Sequence, residues 1–380
     1  MLLLIPGPVT TDARVKAAMA QDYAPWDNDF RQAYRQVCDS LLRVAQASAD
    51  EHAALALPGC GHFAVEAAIR TFVPPGGRLL APSTGAYAAR LQKLAADAGR
   101  IAVPLPVGAA ERVDPQAVAA ALERDPTLTH LAVVYSETGS GICHDVPELA
   151  RVAHAQGRRL IVDAVSAFGA LPLDLRALPA VDAVVLTANK CLEGLPGAAF
   201  VVARRDSLEA AGGNAGSWSL DLADIYQHTL QPNAGPRFTP PAPTLAALAV
   251  ALELYHEEGR EARLARYTAN MRTVYEGIGS LGLVPDLQPA LQGPIVVNVR
   301  APDAPTWNLQ LFVDALKRRG YVLSNFYNTE QPTFRVGCIG AFGPDQMRQA
   351  VDAMGAALGD IGITREPASS GGFFPLPLTA

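Results

Sequence analysis

From about residue 50 to 205, short continuous apolar runs alternate with segments whose apolar positions recur at helical spacing. The runs at 78–82, 100–103, 130–135, 159–164, 181–186 and 198–203 predict strands, and the spacing predicts helices over 63–72, 87–98, 113–122 and 146–156. The strand runs lack polar alternation, so both faces of each are expected to be buried. Such strands between amphipathic helices predict an α/β fold with a mostly parallel sheet, in which ligands bind at the carboxyl ends of the strands. A long amphipathic stretch, 243–281, leads out of this region. Beyond it, strands at 295–299 and 334–338 and helices at 309–319 and 344–358 predict a smaller α+β unit. We divide the chain into a large domain, 12–258, and a small domain of 1–11 with 259–366. The remainder, 367–380, is broken by Gly371, Gly372 and Pro375 and is expected to be a mobile tail, or to pack Phe373 and Phe374 on a partner subunit.

Composition narrows the classes. A chain of 380 residues with 49% apolar and 18% charged positions has ample material for two cores. The net charge of −6 argues against nucleic acid as a partner. Cys38, Cys60, Cys143, Cys191 and Cys338 are scattered and odd in number, which fits reduced thiols and a cytoplasmic protein, and with the seven His they form no metal-like cluster. The apolar start Met1-Leu2-Leu3-Leu4-Ile5 runs into Pro6-Gly7-Pro8 without a basic flank. No signal peptide or membrane span is expected from it.

Candidate chemistry sits at the ends of predicted strands. Lys190, in Thr187-Ala188-Asn189-Lys190, follows a buried run. Desolvation there can free its amine to form an imine. Asp163 ends Leu160-Ile161-Val162-Asp163 and could pair with a protonated pyridine nitrogen. Gly59-Cys60-Gly61-His62 precedes a helix whose first N–H groups could hold an anion. It has neither the Gly-Lys-Ser/Thr of a Walker loop nor the third glycine of a dinucleotide fingerprint. Tyr87 opens a helix where an aromatic ring could stack on a cofactor. Arg335, on a short strand of the smaller unit, could bind a carboxylate or phosphonate in a fork. Taken singly, each has an ordinary alternative: loop lysine, helix cap, strand–helix turn, core aromatic or surface ion pair. Their company is what points to a site.

Together these residues resemble the fold-type I pyridoxal 5'-phosphate (PLP) enzymes of the alanine–glyoxylate aminotransferase class. The resemblance runs from Pro6-Gly7-Pro8 to about Leu358. It is carried by Trp26-Asp27-Asn28-Asp29-Phe30, Phe63-Ala64-Val65-Glu66-Ala67, Asp163-Ala164-Val165-Ser166-Ala167-Phe168-Gly169, Ala188-Asn189-Lys190-Cys191-Leu192-Glu193-Gly194, Ser219-Leu220-Asp221-Leu222, Arg237-Phe238-Thr239-Pro240-Pro241 and Phe334-Arg335-Val336-Gly337. Within the class it is most specific to the branch that moves an amino group from an aminophosphonate to pyruvate. It implies a seven-stranded, mostly parallel sheet and a homodimer with sites at the interface. It also implies Lys190 as the Schiff-base lysine, Asp163 beside the pyridine nitrogen, Cys60, Gly61 and His62 in the phosphate turn, and Tyr87 stacked on the ring. Ser166 and Asn189 are implied as further cofactor contacts, Thr239 as a contact to the neighbouring subunit's phosphate, and Arg335 as the substrate-anion residue.

The chain departs from the aminophosphonate pattern at Cys60 and His62, where Ser and Thr are usual, at Gly139, where a hydroxyl residue is usual, and across 324–328. His62 looks more like the alanine–glyoxylate branch. An alanine- or serine-to-glyoxylate transaminase, a transaminase or lyase for a related aminophosphonate, and a binding protein retired from catalysis therefore stay open on sequence.

Overall fold

The computed structural model describes residues 1–108, 110–326 and 332–363. The expected tail at 367–380 lies outside the described residues. The strands are β1 (Leu2–Leu3), β2 (His52–Gly59), β3 (Arg78–Ser83), β4 (Ile101–Pro106), β5 (Leu128–Val134), β6 (Arg159–Asp163), β7 (Val181–Thr187), β8 (Gly197–Arg204), β9 (Val296–Arg300), β10 (Tyr321–Val322) and β11 (Thr333–Gly337). The helices are α1 (Ala13–Met19), α2 (Asn28–Val44), α3 (Gly61–Phe72), α4 (Ala86–Asp97), α5 (Pro115–Arg124), α6 (Val146–Ala155), α7 (Arg205–Ala210), α8 (Leu222–Thr229), α9 (Ala242–Glu258), α10 (Arg260–Ser280), α11 (Leu309–Arg318) and α12 (Pro344–Asp360).

A seven-stranded sheet in the order β2-β8-β7-β6-β5-β3-β4 forms the centre. It is parallel except at β8, which runs antiparallel to β2 and β7. Side chains alternate across each strand, so the apolar runs feed two cores. Leu131, Val133, Val162, Val184 and Leu186 pack on one side with Phe30 and Tyr34 of α2 and Leu245 and Leu248 of α9. Ala132, Ile161, Ala183, Val185 and Ala199 pack on the other side with Ala64, Ala68 and Ile69 of α3 and Leu91 of α4. Each such Leu, Ile or Val removed from water contributes roughly 1.5–3 kcal/mol before chain entropy is counted. The many alanines facing α3 let that helix lie close to the sheet, with its first residue at the sheet's carboxyl edge.

The stretch 243–281 is two helices. Gly259, at φ +82, ends α9 and releases α10 in a new direction, a conformation that suits glycine alone. The helix expected from residue 113 starts at Pro115, capped by the Asp114 side chain. The strand expected at 100–103 runs from Ile101 to Pro106. Prolines are tolerated in it because β4 is an edge strand.

The C-terminal part pairs β9 and β11 antiparallel and packs them on α10, α11 and α12 around Phe312, Phe334 and Met354. Leu4 belongs to that cluster, and β1 pairs with β10. On this packing we propose that residues 1–11 go with the chain from 259 onward. All five cysteines are free. Among the described residues no helix is long and apolar enough to cross a membrane.

Candidate active site

Strands β6 and β7 are parallel neighbours, so their last residues emerge at one edge. Asp163 is the last residue of β6. It is 8% exposed and accepts the Val165 N–H at 3.0 Å. Burial raises its carboxyl to about 6, against the pull of that N–H and of the Lys190 amine. After β7 the chain turns through Ala188 and Asn189, bringing Lys190 beside the same cleft. Its Nζ donates to the Pro6 carbonyl at 2.6 Å. Burial lowers the amine to about 8; the Arg335 charge acts in the same direction, and Cys191 and Asp163 oppose it. An amine in that range is neutral often enough near neutral pH to serve as a nucleophile.

The Lys190 turn is braced from α10. Arg263 donates to the Cys191 carbonyl at 2.9 Å, and the Tyr267 hydroxyl donates to Glu193 at 2.6 Å. Arg266 joins Glu193 and Glu258, at 2.9 and 2.7 Å. On the open side Gly7, at φ +137, presses against the lysine; a Cβ there would lie 2.4 Å from Lys190 Cδ. Only glycine lets the N-terminal segment come so near.

The turn between β2 and α3 forms another wall. Cys60 is the N-cap of α3 but makes no side-chain cap bond, so the helix presents its first N–H groups to the cleft. A Cβ on Gly61 would sit 2.7 Å from Val165 Cγ2, so this backbone is drawn hard against the loop after Asp163. Burial lowers the His62 imidazole, and the Arg90 charge lowers it further, which leaves a neutral ring near pH 7.

Of the residues singled out from sequence, Cys60, Gly61, His62, Tyr87, Asp163, Asn189 and Lys190 line one cavity. Arg335 stands next to it. This arginine is 4% exposed, donates to the Thr138 carbonyl at 3.3 Å, lies 5.2 Å from the centre of the Phe326 ring and faces the Tyr87 side chain, which opposes the lowering that burial imposes on the guanidinium. Ser166 is buried and turns its hydroxyl to the Ser136 carbonyl at 2.8 Å instead. Thr239 is exposed and away from the cavity of its own chain. The Gly139 carbonyl accepts from the Asn298 amide. In the segment 324–328, Tyr327 and Asn328 lie outside the described residues.

Sequence reasoning missed Arg90 and Thr187, which share the cavity wall. Arg90 was accessible in principle, because it follows Tyr87 by one helical step on α4 and its guanidinium lies 5.0 Å from that ring's centre.

The residues suit PLP. An open helix N-terminus matches a phosphate, Tyr87 an aromatic ring, Asp163 a protonated ring nitrogen and Lys190 an aldehyde. The Thr187 hydroxyl is buried on the cavity wall with no hydrogen-bond partner among the described residues, so a polar ligand would satisfy it.

Comparison with known proteins agrees. The class-V aminotransferase family model matches residues 17–320. The 2-aminoethylphosphonate–pyruvate transaminase of Burkholderia ambifaria is 44% identical over 371 residues, covering 97% of this chain and 98% of that protein. A transaminase of the same name from Cupriavidus pinatubonensis is 40% identical over 367 residues, covering 96% of each. Among solved structures, pyridoxamine–pyruvate aminotransferase from Mesorhizobium loti superposes with a TM-score of 0.87 at 26% identity, over 96% of this chain and 93% of that one. An alanine–glyoxylate aminotransferase from Nostoc shares the fold, with a TM-score of 0.85 at 24% identity and 95% of each chain covered. With the family matched over most of its length and relatives aligned nearly end to end, this chain belongs to the class-V aminotransferases, enzymes of fold type I that work with PLP.

Proposed function

We propose that the chain transfers the amino group of 2-aminoethylphosphonate to pyruvate, giving phosphonoacetaldehyde and alanine. The observation that carries this reading is Lys190 and Asp163 on one cavity wall, with the buried Arg335 near enough for its charge to act on the Lys190 amine. It does so in a chain 40–44% identical to relatives named for that reaction. The first turn of α3, with Cys60, Gly61 and His62, would hold the cofactor phosphate, and Tyr87 would cover the ring. Asp163 would keep a proton on the ring nitrogen. Ser166 and Asn189 would add further cofactor contacts, Asn189 from the cavity wall. Bound there, PLP supplies a conjugated ring that accepts the electron pair left when a substrate carbon loses its proton. Lys190 would take that proton on Nζ and return it at the neighbouring position, acting first as base and then as acid.

Arg335 serves both halves of the reaction in this reading. The tetrahedral phosphonate of the donor and the planar carboxylate of pyruvate each offer a pair of anionic oxygens that one guanidinium fork can grip in turn. Arg335→Ala is expected to weaken both half-reactions by roughly 2–5 kcal/mol and to leave PLP uptake nearly unchanged. Arg335→Lys should restore little. Single-turnover kinetics with each substrate check this, and loss confined to the donor would refute the shared-anion role.

His62 favours a second reading, transfer from alanine or serine to glyoxylate. Assaying the purified holoenzyme with single donors and single 2-oxo acids separates the two. We expect kcat/KM for 2-aminoethylphosphonate with pyruvate to exceed that of any other pair by roughly 10- to 200-fold, the scale on which pocket shape discriminates between substrates. Dominance of alanine with glyoxylate would overturn the assignment.

We also place the enzyme in the cytoplasm as a homodimer. Thr239 then reaches the phosphate in the partner's site. Supporting this, Trp218 and Phe238 next to that loop are exposed yet meet edge to face at 5.2 Å, with Arg237 4.8 Å from each ring. Such an aromatic patch suits a subunit interface. Full activity in a species sedimenting as a monomer would exclude it.

A further inference from the structure

Glu137 lies beyond the end of β5 and is wholly buried, where a carboxyl group needs partners. One of its oxygens finds them at the start of a distant helix, and Oε2 has no hydrogen-bond partner among the described residues. Helix α4 starts at Ala86, and its N-cap, Gly85, has no side chain with which to cap it. Glu137 Oε1 takes that place: it accepts the Ala88 N–H at 3.0 Å and the Thr84 hydroxyl at 3.2 Å, and the Tyr87 N–H faces the same carboxyl group. The fit is close. A Cβ on Gly85 would lie 2.9 Å from Glu137 Cδ.

The residues after Glu137 hold the other side of the site. The Thr138 carbonyl accepts from Arg335, and the Gly139 carbonyl accepts from Asn298, the cross-strand partner of Arg335 in β9. Arg335 in turn faces the Tyr87 side chain, which opposes the lowering that burial imposes on the guanidinium. The contacts close a circuit: the Glu137 carboxyl holds the first turn of α4, α4 carries Tyr87, Tyr87 meets Arg335, and Arg335 returns to the backbone beside Glu137.

We propose that Glu137 is a positioning residue that sets Tyr87 and Arg335 relative to one another, and so aligns the cofactor-covering ring with the group that grips the substrate's anion. This rests on the roles of Tyr87 and Arg335 given above. Burial raises the Glu137 carboxyl, so the group spends more of its time neutral than an exposed glutamate, and the capping oxygen is what matters. Gln keeps that oxygen and Ala does not.

The test compares Glu137→Ala, Glu137→Gln, Gly85→Ala, Arg335→Ala and the Glu137→Ala/Arg335→Ala pair as holoenzymes. It reads KM and kcat for both substrates and the visible circular dichroism of the bound cofactor. Glu137→Ala is expected to raise KM for 2-aminoethylphosphonate and for pyruvate, each on the order of 10-fold. It should lower kcat less than it raises KM, and it should weaken the dichroic band as Tyr87 loosens. Glu137→Gln should restore both readouts. Gly85→Ala, which crowds the carboxyl without removing it, should reproduce the loss and decides the matter if Glu137→Ala does not fold. Added to Arg335→Ala, Glu137→Ala should raise KM little further. Unchanged KM and dichroism in both Glu137→Ala and Gly85→Ala would overturn the proposal, as would simple additivity with Arg335→Ala. Unchanged KM in Arg335→Ala itself would instead overturn the anion-binding role on which the proposal rests.

Discussion

Lys190→Ala will bind PLP without a covalent link and will lose transamination by a factor on the order of 1,000 or more. Removing the amine takes away the group that exchanges with the substrate amine and the base that carries the proton, and a positioned base alone is worth roughly 100- to 10,000-fold. The surroundings are prepared for that amine. Burial holds it at about 8, α10 braces its turn through Arg263, Arg266 and Tyr267, and Gly7 leaves room for its stem. The sign of the pH effect follows. Only the neutral amine attacks an aldehyde, so PLP capture by the apoenzyme should speed up as pH rises through about 8 and level off above it. Borohydride reduction followed by mass spectrometry of the peptide carrying residue 190 checks the link, and stopped-flow absorbance checks the pH profile. A reducible link surviving in Lys190→Ala would move the role to another lysine. A capture rate that went on climbing past pH 9 without levelling off would mean that the amine is not depressed.

The parts of this site that were legible in the sequence are those that local pattern controls. A continuous apolar run must be a buried strand, and a charged residue at its end must face the sheet's edge, so Asp163 and Lys190 could be read directly. The glycines beside Cys60 could be read as a turn into a helix. What could not be read are contacts made across long separations. Glu137 caps a helix from 49 residues away, and nothing near it in the chain says so. Gly7 looks like part of a Pro-Gly-Pro turn until Lys190 is seen against it. Ser166 sits in a diagnostic stretch, yet its hydroxyl serves the Ser136 carbonyl. The antiparallel insertion of β8 between β2 and β7 was equally invisible, because a strand buried on both faces reads the same in either direction. The two-helix break at Gly259 was concealed for a different reason: α9 and α10 share a nearly continuous helical pattern, and one residue's φ decides where it bends.

Asp163→Asn should separate stability from catalysis in opposite directions. In the apoenzyme Asp163 is a buried carboxyl held at about 6, above the 3.8 of an unperturbed side chain. The folded state therefore binds the proton more tightly than the unfolded state, and the acid costs stability as pH rises from about 4 to about 6 and keeps that cost above it. An amide carries no such charge, so apo Asp163→Asn is expected to melt higher than apo wild type at pH 7–8, and to lose that advantage near pH 4. Adding PLP reverses the order. A protonated ring nitrogen turns the uncompensated carboxylate into half of an ion pair, so PLP should raise the melting temperature of wild type more than that of the variant. The rate should follow the charge as well. An amide cannot hold the proton on the ring nitrogen, and the ring then draws electrons poorly. Loss of that pairing in a dry site should cost on the order of 3 kcal/mol in the transition state, or roughly 100-fold in kcat. Differential scanning fluorimetry of apo and loaded forms between pH 4 and 8, alongside kcat for both proteins, tests both halves. If the variant turned over at the wild-type rate while its apo form melted lower, Asp163 would be a structural acceptor for the Val165 N–H, and the ring nitrogen would need another partner.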